Sequence, residues 1–191
     1  MVSTSPLVKT YTLEEFWELP EPPGHDKFEL IAGVLYMTIP PGYLHNNIVS
    51  RLNRLILEHL TNIADKGTLY VPRAGIVGPS NTWLEPDLFY VAAETEARLN
   101  PNYPQYHSTA DLVIEVFSPS SGIYDRNTKA DTYAALGVKE LWLVDEALGI
   151  IELRTFEGDQ FAPSVVLESD DYLKSVVLPG FEVKVGRVFG S

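Results

Sequence analysis

Three carboxylates stand inside or beside the most apolar runs of the chain: Glu29 in KFELI, Asp87 in EPDLFY and Glu115 in VIEVF. A carboxylate among covered strands carries a large desolvation cost unless it is paired with a charge or coordinates a cation. The set therefore calls for a compensating charge. A divalent cation is one source, and Lys129, early in the helix that follows Glu115, is another. The chain has no cysteine and four histidines, so thiolate sites are excluded and most donors are oxygens, which favour hard cations such as Mg2+ or Mn2+. Two acidic ligands, Asp87 and Glu115, with Lys129 nearby form a minimal kit for phosphodiester hydrolysis. The metal lowers the pKa of the attacking water, and the lysine orients that water or stabilises charge.

The elements that must position these groups follow from hydrophobic spacing and turn residues. YTLEEFWELP reads as a short helix capped by Thr12, with Glu15 closing a capping box, and PEPPG stops it. HDKFELIAGVLYMTIPPG reads as two strands around an Ala32-Gly33 turn. Ile48, Leu52, Leu55, Ile56, Leu60 and Ile63 recur at helical spacing, which predicts a helix from Tyr43 to Lys66 closed by Gly67. TLYVPRAGIVG and EPDLFYVAAE are predicted strands separated by a turn at PSNTW, and ARLNPNYPQYHSTA is a predicted surface loop. Asp111 to Phe117 is an apolar strand, followed by the loop SPSSGIYD, a helix ending at Gly137 and the strand KELWLVD. This strand-helix-strand order favours a parallel crossover covered on both faces. Hairpins come after it, with FEGDQF as the tightest turn.

The 191 residues, 45% hydrophobic and 21% charged, read as one globular domain, 1–191, rather than a disordered or fibrous chain. No run approaches the roughly 18 apolar residues of a membrane span, and MVSTSPLVKT lacks the apolar stretch of a signal peptide. The expectation is a cytoplasmic protein with no membrane partner. A net charge of −12 counts against nucleic-acid binding. A local basic face would have to come from Arg51, Arg54, Lys66, Arg73, Arg126, Lys129 and Lys139. Ser118, Ser120 and Ser121 lack a G-x-S-x-G elbow, and there is no phosphate-binding glycine loop, which speaks against serine hydrolases and P-loop enzymes.

EPD, then VIEVFSPSS, then YDRNTKADTYAALGVKELWLVD resemble the PD-(D/E)XK nuclease superfamily, and within it the Uma-type bacterial restriction endonuclease family. The hairpin FELIAGVLY, the helix start PPGYLHNNI and the closing LPGFEVKVGRVF are similar too, so the resemblance covers nearly all of the chain. It implies an α/β fold: a restriction-endonuclease-like core with a central mixed β-sheet flanked by helices, an N-terminal hairpin and C-terminal β-hairpins. It also implies a metal-dependent nuclease acting on DNA, with Asp87 and Glu115 as ligands for Mg2+ or Mn2+. The superfamily places its lysine two residues after the glutamate, where this chain has Phe117. In the branch it resembles, the lysine sits on the following helix, at the position of Lys129. Glu29 corresponds to an extra acidic residue from the N-terminal part, and His45 is a site residue by position, as a proton acceptor or phosphate contact. Cutting both strands requires two sites, so a homodimer is the expected assembly.

Each of these residues also has a structural reading. Pro86-Asp87 is an ordinary turn into a strand, Glu115 fits a solvent-facing alternation, and Lys129 fits a solvated helix face. Glu29 shares a strand face with Lys27, and His45 suits a helix cap. Asp125 and Arg126 read as a cap and a loop salt bridge, and Trp83, Trp142, Tyr133 and Phe89 as core or interface. Two other functions stand beside the nuclease: a catalytically silent nuclease-fold module binding nucleic acid or protein, and a hydrolase of a smaller phosphodiester.

Overall fold

The computed structural model describes residues 9–21, 27–38, 40–63, 67–96, 102–117 and 125–190. The serine-rich loop after Phe117, Lys66, and the side chains of Asp125 and Arg126 lie outside the described residues, and so do the expectations that concern them.

Helix α1, Leu13–Trp17, carries the predicted capping box: Glu15 N–H donates to Thr12 Oγ1 at 3.2 Å, and Thr12 N–H to Glu15 Oε2 at 2.9 Å. Strands β1, Lys27–Ile31, and β2, Val34–Thr38, form an antiparallel hairpin. Its two-residue turn has Ala32 at φ 48° and Gly33 at φ 79°, the doubly left-handed geometry that matches strand twist. Helix α2, Tyr43–Leu60, buries Ile48, Val49, Leu52, Leu55 and Ile56.

α2 stops short of Lys66. Thr61 Oγ1 and Asn62 Nδ2 both donate to Glu58 O, at 2.8 and 2.7 Å, offering the backbone a local alternative to helix. Gly67 is therefore not the cap. A Cβ there would lie 2.3 Å from the Tyr90 hydroxyl, so glycine is required for close approach to that strand.

The predicted strand TLYVPRAGIVG is two strands, β3, Thr68–Tyr70, and β4, Ile76–Gly78, in different sheets. Pro72 removes a ladder donor, and Arg73 turns left-handed at φ 74°. Only Pro79, Ser80 and Asn81 of PSNTW make the turn, the last two left-handed; Thr82–Leu84 is a buried strand, β5. Strands β2-β1-β5-β4 form one sheet. The loop through Tyr106 is not wholly at the surface, since His107 bridges to Ile76 and is buried.

The larger sheet runs β10-β9-β8-β7-β6-β3, with β11, Val165–Leu167, also on β9. β6 is Leu88–Val91, followed by the one-turn helix α3, Ala93–Glu96; β7 is Leu112–Phe117, β8 Glu140–Asp145, β9 Ile150–Glu157 and β10 Gln160–Phe161. β7 and β8 pair in parallel, as the crossover predicts, and both are buried along their whole length. One face, including Ile114, Val116 and Trp142, packs on α2 and the C-terminal hairpin of β12, Tyr172–Lys174, and β13, Glu182–Lys184. The other face, including Phe89, Val113 and Phe117, packs on the crossover helix α4, Ala130–Ala135, which continues a π-helical turn, Asp125–Lys129. Gly137, at φ 76°, closes α4 with bonds from its own N–H to Ala134 O and from Val138 N–H to Tyr133 O, the two bonds of a Schellman motif. The FEGDQF turn joins β9 and β10 as expected.

Candidate active site

The carboxylates meet because of strand register. Leu88 of β6 pairs with Ile114 of β7, and one step beyond that antiparallel pair Asp87 stands across from Glu115. Directly opposed residues have Cβ atoms about 5 Å apart, and alternation places both on the face that packs against α4. Val116 N–H donates to Asp87 Oδ2 at 2.9 Å and fixes that carboxylate at the strand entrance.

Lys129 arrives from the π-helical turn, a distortion found frequently at functional sites. It is 1% exposed, with Nζ 2.5 Å from Glu115 Oε1 and 3.1 Å from Glu29 Oε2. One turn later Tyr133 donates its hydroxyl to Glu115 Oε1 at 2.5 Å. Burial, followed by the Glu115 charge, raises the Tyr133 pKa well above its usual value, so the phenol stays protonated. Glu29 reaches the site from β1, where Glu85 N–H donates to its Oε1 at 2.9 Å. Burial pushes the Glu29 pKa up, but the charges of Lys129 and Lys27 and the Glu85 and Lys129 bonds outweigh it, and the carboxyl is held below its ordinary range.

His45, in the first turn of α2, places Nε2 3.0 Å from Asp87 Oδ2. Burial disfavours its charged form, yet the bond and charge of Asp87, with Glu146 adding to them, raise its pKa. Asp87 is shifted the opposite way: burial is offset by the His45 bond and by the charges of Lys27 and His45, so its pKa is lowered.

All five residues singled out in the sequence thus lie together, in two linked groups: Glu29, Lys129 and Glu115 in one, His45 and Asp87 in the other. Three partners escape the sequence reading of the site. Tyr133 carried a signal, since it follows Lys129 by four positions and shares its helix face. Lys27 Nζ donates to Glu85 O at 2.6 Å and lies 3.9 Å from Glu29, so it joins the site beyond the pairing expected for it. Glu85 itself carried no signal.

Buried carboxylates elsewhere have a different fate. Glu140 is surrounded by donors from Trp142, Ser175 and the Val176 and Val177 N–H groups. Asp111 takes Ala92 N–H, Thr95 Oγ1 and, at 2.6 Å, Lys139 Nζ. Both tie loops to strand starts.

Among the described residues, no group of three or more His, Cys, Asp and Glu side chains forms a cluster able to hold a metal ion. The adjacent pair of Asp87 and Glu115 still offers what Mg2+ accepts, because that ion keeps several waters and binds through one or two carboxylates plus substrate phosphate. Both bonds to Asp87 use Oδ2, so Oδ1 remains open to a ligand. The donor set fits a hard cation.

A central mixed sheet covered on both faces, with its parallel β7–β8 pair joined through a crossover helix, defines a restriction-endonuclease-like class of fold. The chain belongs to the Uma2 family, described as "Putative restriction endonuclease", whose model matches residues 13–186. Among solved structures it is similar to a "putative nuclease belonging to DUF820" from Anabaena variabilis, at 17% identity and a TM-score of 0.76 over 94% of this chain and 97% of that one. At that identity the likeness establishes the fold. No curated protein matches the chain. Among the described residues, no helix is long and apolar enough to cross a membrane.

Proposed function

We propose that the chain is a metal-dependent nuclease that hydrolyses phosphodiester bonds in DNA, its 191 residues working as one domain. The observation that carries this reading is the shared cation: Lys129 reaches both Glu115 and Glu29, from three distant segments, beside a His45–Asp87 pair. Asp87 and Glu115 would hold Mg2+ or Mn2+, and the bound ion would supply charge neutralisation at the phosphate and a more acidic water. Lys129 stabilises charge that develops on the phosphate and orients the incoming water. Tyr133 and Lys129 fix Glu115, and the Val116 N–H and His45 fix Asp87, so both carboxylates are preorganised. Charged His45 offers a phosphate contact. A homodimer would supply two such sites for the two strands.

The test is incubation with supercoiled, linear and single-stranded DNA at low salt, with Mg2+ or Mn2+, beside Asp87→Ala. Cleavage by the wild type that is abolished by EDTA and by the substitution is the expected result. Equal cleavage by Asp87→Ala would remove Asp87 from the mechanism.

A second reading is a nuclease-fold module that binds nucleic acid or protein without cutting. Phe117, buried where the superfamily has its lysine, and the net charge of −12 favour it. Metal binding with no hydrolysis of DNA or of a small chromogenic diester would select it, whereas cleavage of the small diester alone would point to a smaller natural phosphodiester.

A further inference from the structure

Next to the carboxylate site a cavity of about 450 Å³ opens between β3, β6 and the segment preceding β7. Its walls are aromatic. Tyr70 stacks on Phe89 with ring centroids 4.7 Å apart and planes 12° from parallel. His107 meets both rings edge-on, and Tyr106 contributes a further ring.

The polar groups among these rings are few and chemically distinct. His107 is 8% exposed, and its Nδ1 has no hydrogen-bond partner among the described residues. Glu96 accepts from Thr68 Oγ1 at 2.5 Å and from Tyr70 OH at 3.2 Å, both on Oε1, so Oε2 is left to accept from a ligand. Arg73 adopts φ 74°, a left-handed conformation that non-glycine residues rarely take and that concentrates at functional sites. Its side chain is 72% exposed, with Nε 4.0 Å from Glu85 Oε2. Glu85 in turn holds Glu29 through its N–H, so Arg73 stands between the cavity and the carboxylates. Phe89 lies two residues along β6 from Asp87 and on the same face, a separation of about 7 Å.

Resting on the nuclease reading, we propose that this cavity is a nucleobase subsite. It takes one unpaired base of the substrate strand that carries an exocyclic amino group, with Arg73 on the adjoining phosphate. Aromatic walls receive the flat face of any base, and the carboxylate selects among bases. Glu96 Oε2 accepts from an amino group such as cytosine N4, whereas thymine presents O4, a second acceptor, to the same atom. Stacking against the cavity walls needs a base face freed from its neighbours in the helix, so the base must be unpaired or flipped out.

The full chain is titrated, without metal, with dCMP and with dTMP. Binding is followed by the fluorescence of Trp83, whose ring packs 4.7 Å from Tyr106, and by the NMR signals of His107. The expected result is binding of dCMP about 10-fold tighter than of dTMP, a preference that Glu96→Gln erases because an amide donates as readily as it accepts. Arg73→Gly keeps the backbone, since glycine tolerates its φ, and should weaken dCMP while leaving the uncharged nucleoside deoxycytidine unchanged. Absence of nucleotide binding, equal affinity for dCMP and dTMP, or variants that bind as the wild type does would each overturn the proposal. The readout needs no cleavage. Discriminating binding by a chain that cuts nothing would uphold the subsite and remove the nuclease reading, and DNA cleavage without discrimination would do the reverse.

Discussion

Replacing Lys129 by methionine keeps most of the side-chain volume and removes only the charge, so it measures what the buried cation contributes. Nζ lies 2.5 Å from Glu115 Oε1 and 3.1 Å from Glu29 Oε2, and the three side chains are at most 4% exposed. At an effective dielectric constant of about 20, the longer contact alone corresponds to about 5 kcal/mol of attraction. Removing one partner of a buried pair typically costs about 3–5 kcal/mol, because the remaining charge is stranded. A loss of that size at neutral pH is a large fraction of a total stability of about 5–15 kcal/mol. The pH dependence identifies the cause. In the wild type the Glu29 pKa is lowered, so its contribution is present above the unfolded value of about 4.3 and is lost as pH falls through the folded value. Without Lys129, burial prevails, the folded state binds protons more tightly than the unfolded, and stability rises as pH falls. Urea unfolding of the two proteins between about pH 5 and pH 8 should therefore show a gap that is widest at the alkaline end and narrows towards acid. A gap that does not vary with pH, or one below about 1 kcal/mol at neutral pH, refutes the idea that Lys129 neutralises a stranded charge.

Tyr133→Phe keeps the ring in the core and removes the donor to Glu115, which should cost about 1–3 kcal/mol in urea unfolding and lower kcat with little change in KM; unchanged kcat would leave Tyr133 a packing residue only. The raised His45 pKa gives a contribution fully present below its unfolded value of about 6.5 and lost as pH rises through the folded value. The melting temperature of the wild type should therefore carry a decline on the alkaline side that His45→Gln lacks, with the His45 ring titrating by NMR over the same range. Identical profiles for the two proteins would show that the His45–Asp87 bond carries no linkage.

The site was legible in the sequence where its residues obey an element's period. Glu115 stands at an alternate position of a strand whose apolar neighbours announce burial, and Lys129 and Tyr133 share one helix face. The limits lie where a partner comes from far along the chain. Lys27 meets the Glu85 carbonyl across 58 residues, through a pairing of β1 with β5 that depends on a strand the turn residues of PSNTW conceal. Proline, serine and asparagine there signal a turn correctly, but the turn is spent by Asn81 and the strand begins at once. Asp111 and Glu140 show the complementary gap. Asp111 precedes the very strand that carries Glu115, and Glu140 opens one as apolar, yet backbone N–H groups help satisfy both, and which loop folds back to supply those donors is a tertiary fact.

The net charge of −12 looks forbidding for a partner made of phosphates, but the distribution of cations decides the matter at short range. At physiological salt, exposed charges are screened over about 8 Å, so a phosphate at the site responds mainly to what surrounds it there. Of the basic residues named from sequence, Arg51 is bonded to the Phe189 carbonyl, Arg54 lies beside Glu58, and Lys139 neutralises Asp111. Those three do not form a groove. Lys129, Lys27 and His45 do converge on the carboxylates, and Arg73 adjoins them through Glu85. Three basic side chains are thus gathered where Asp87, Glu115 and Glu29 also sit, and under the proposed nuclease reading that geometry suits recognition of one phosphate and its neighbours. It is poorly suited to tracking a long duplex, because affinity for a duplex grows with the number of phosphates neutralised along its length. On the nuclease reading, a chain of net charge −12 with its few basic side chains held among these carboxylates serves selectivity, since a strand gains nothing from the overall charge until its phosphate is seated.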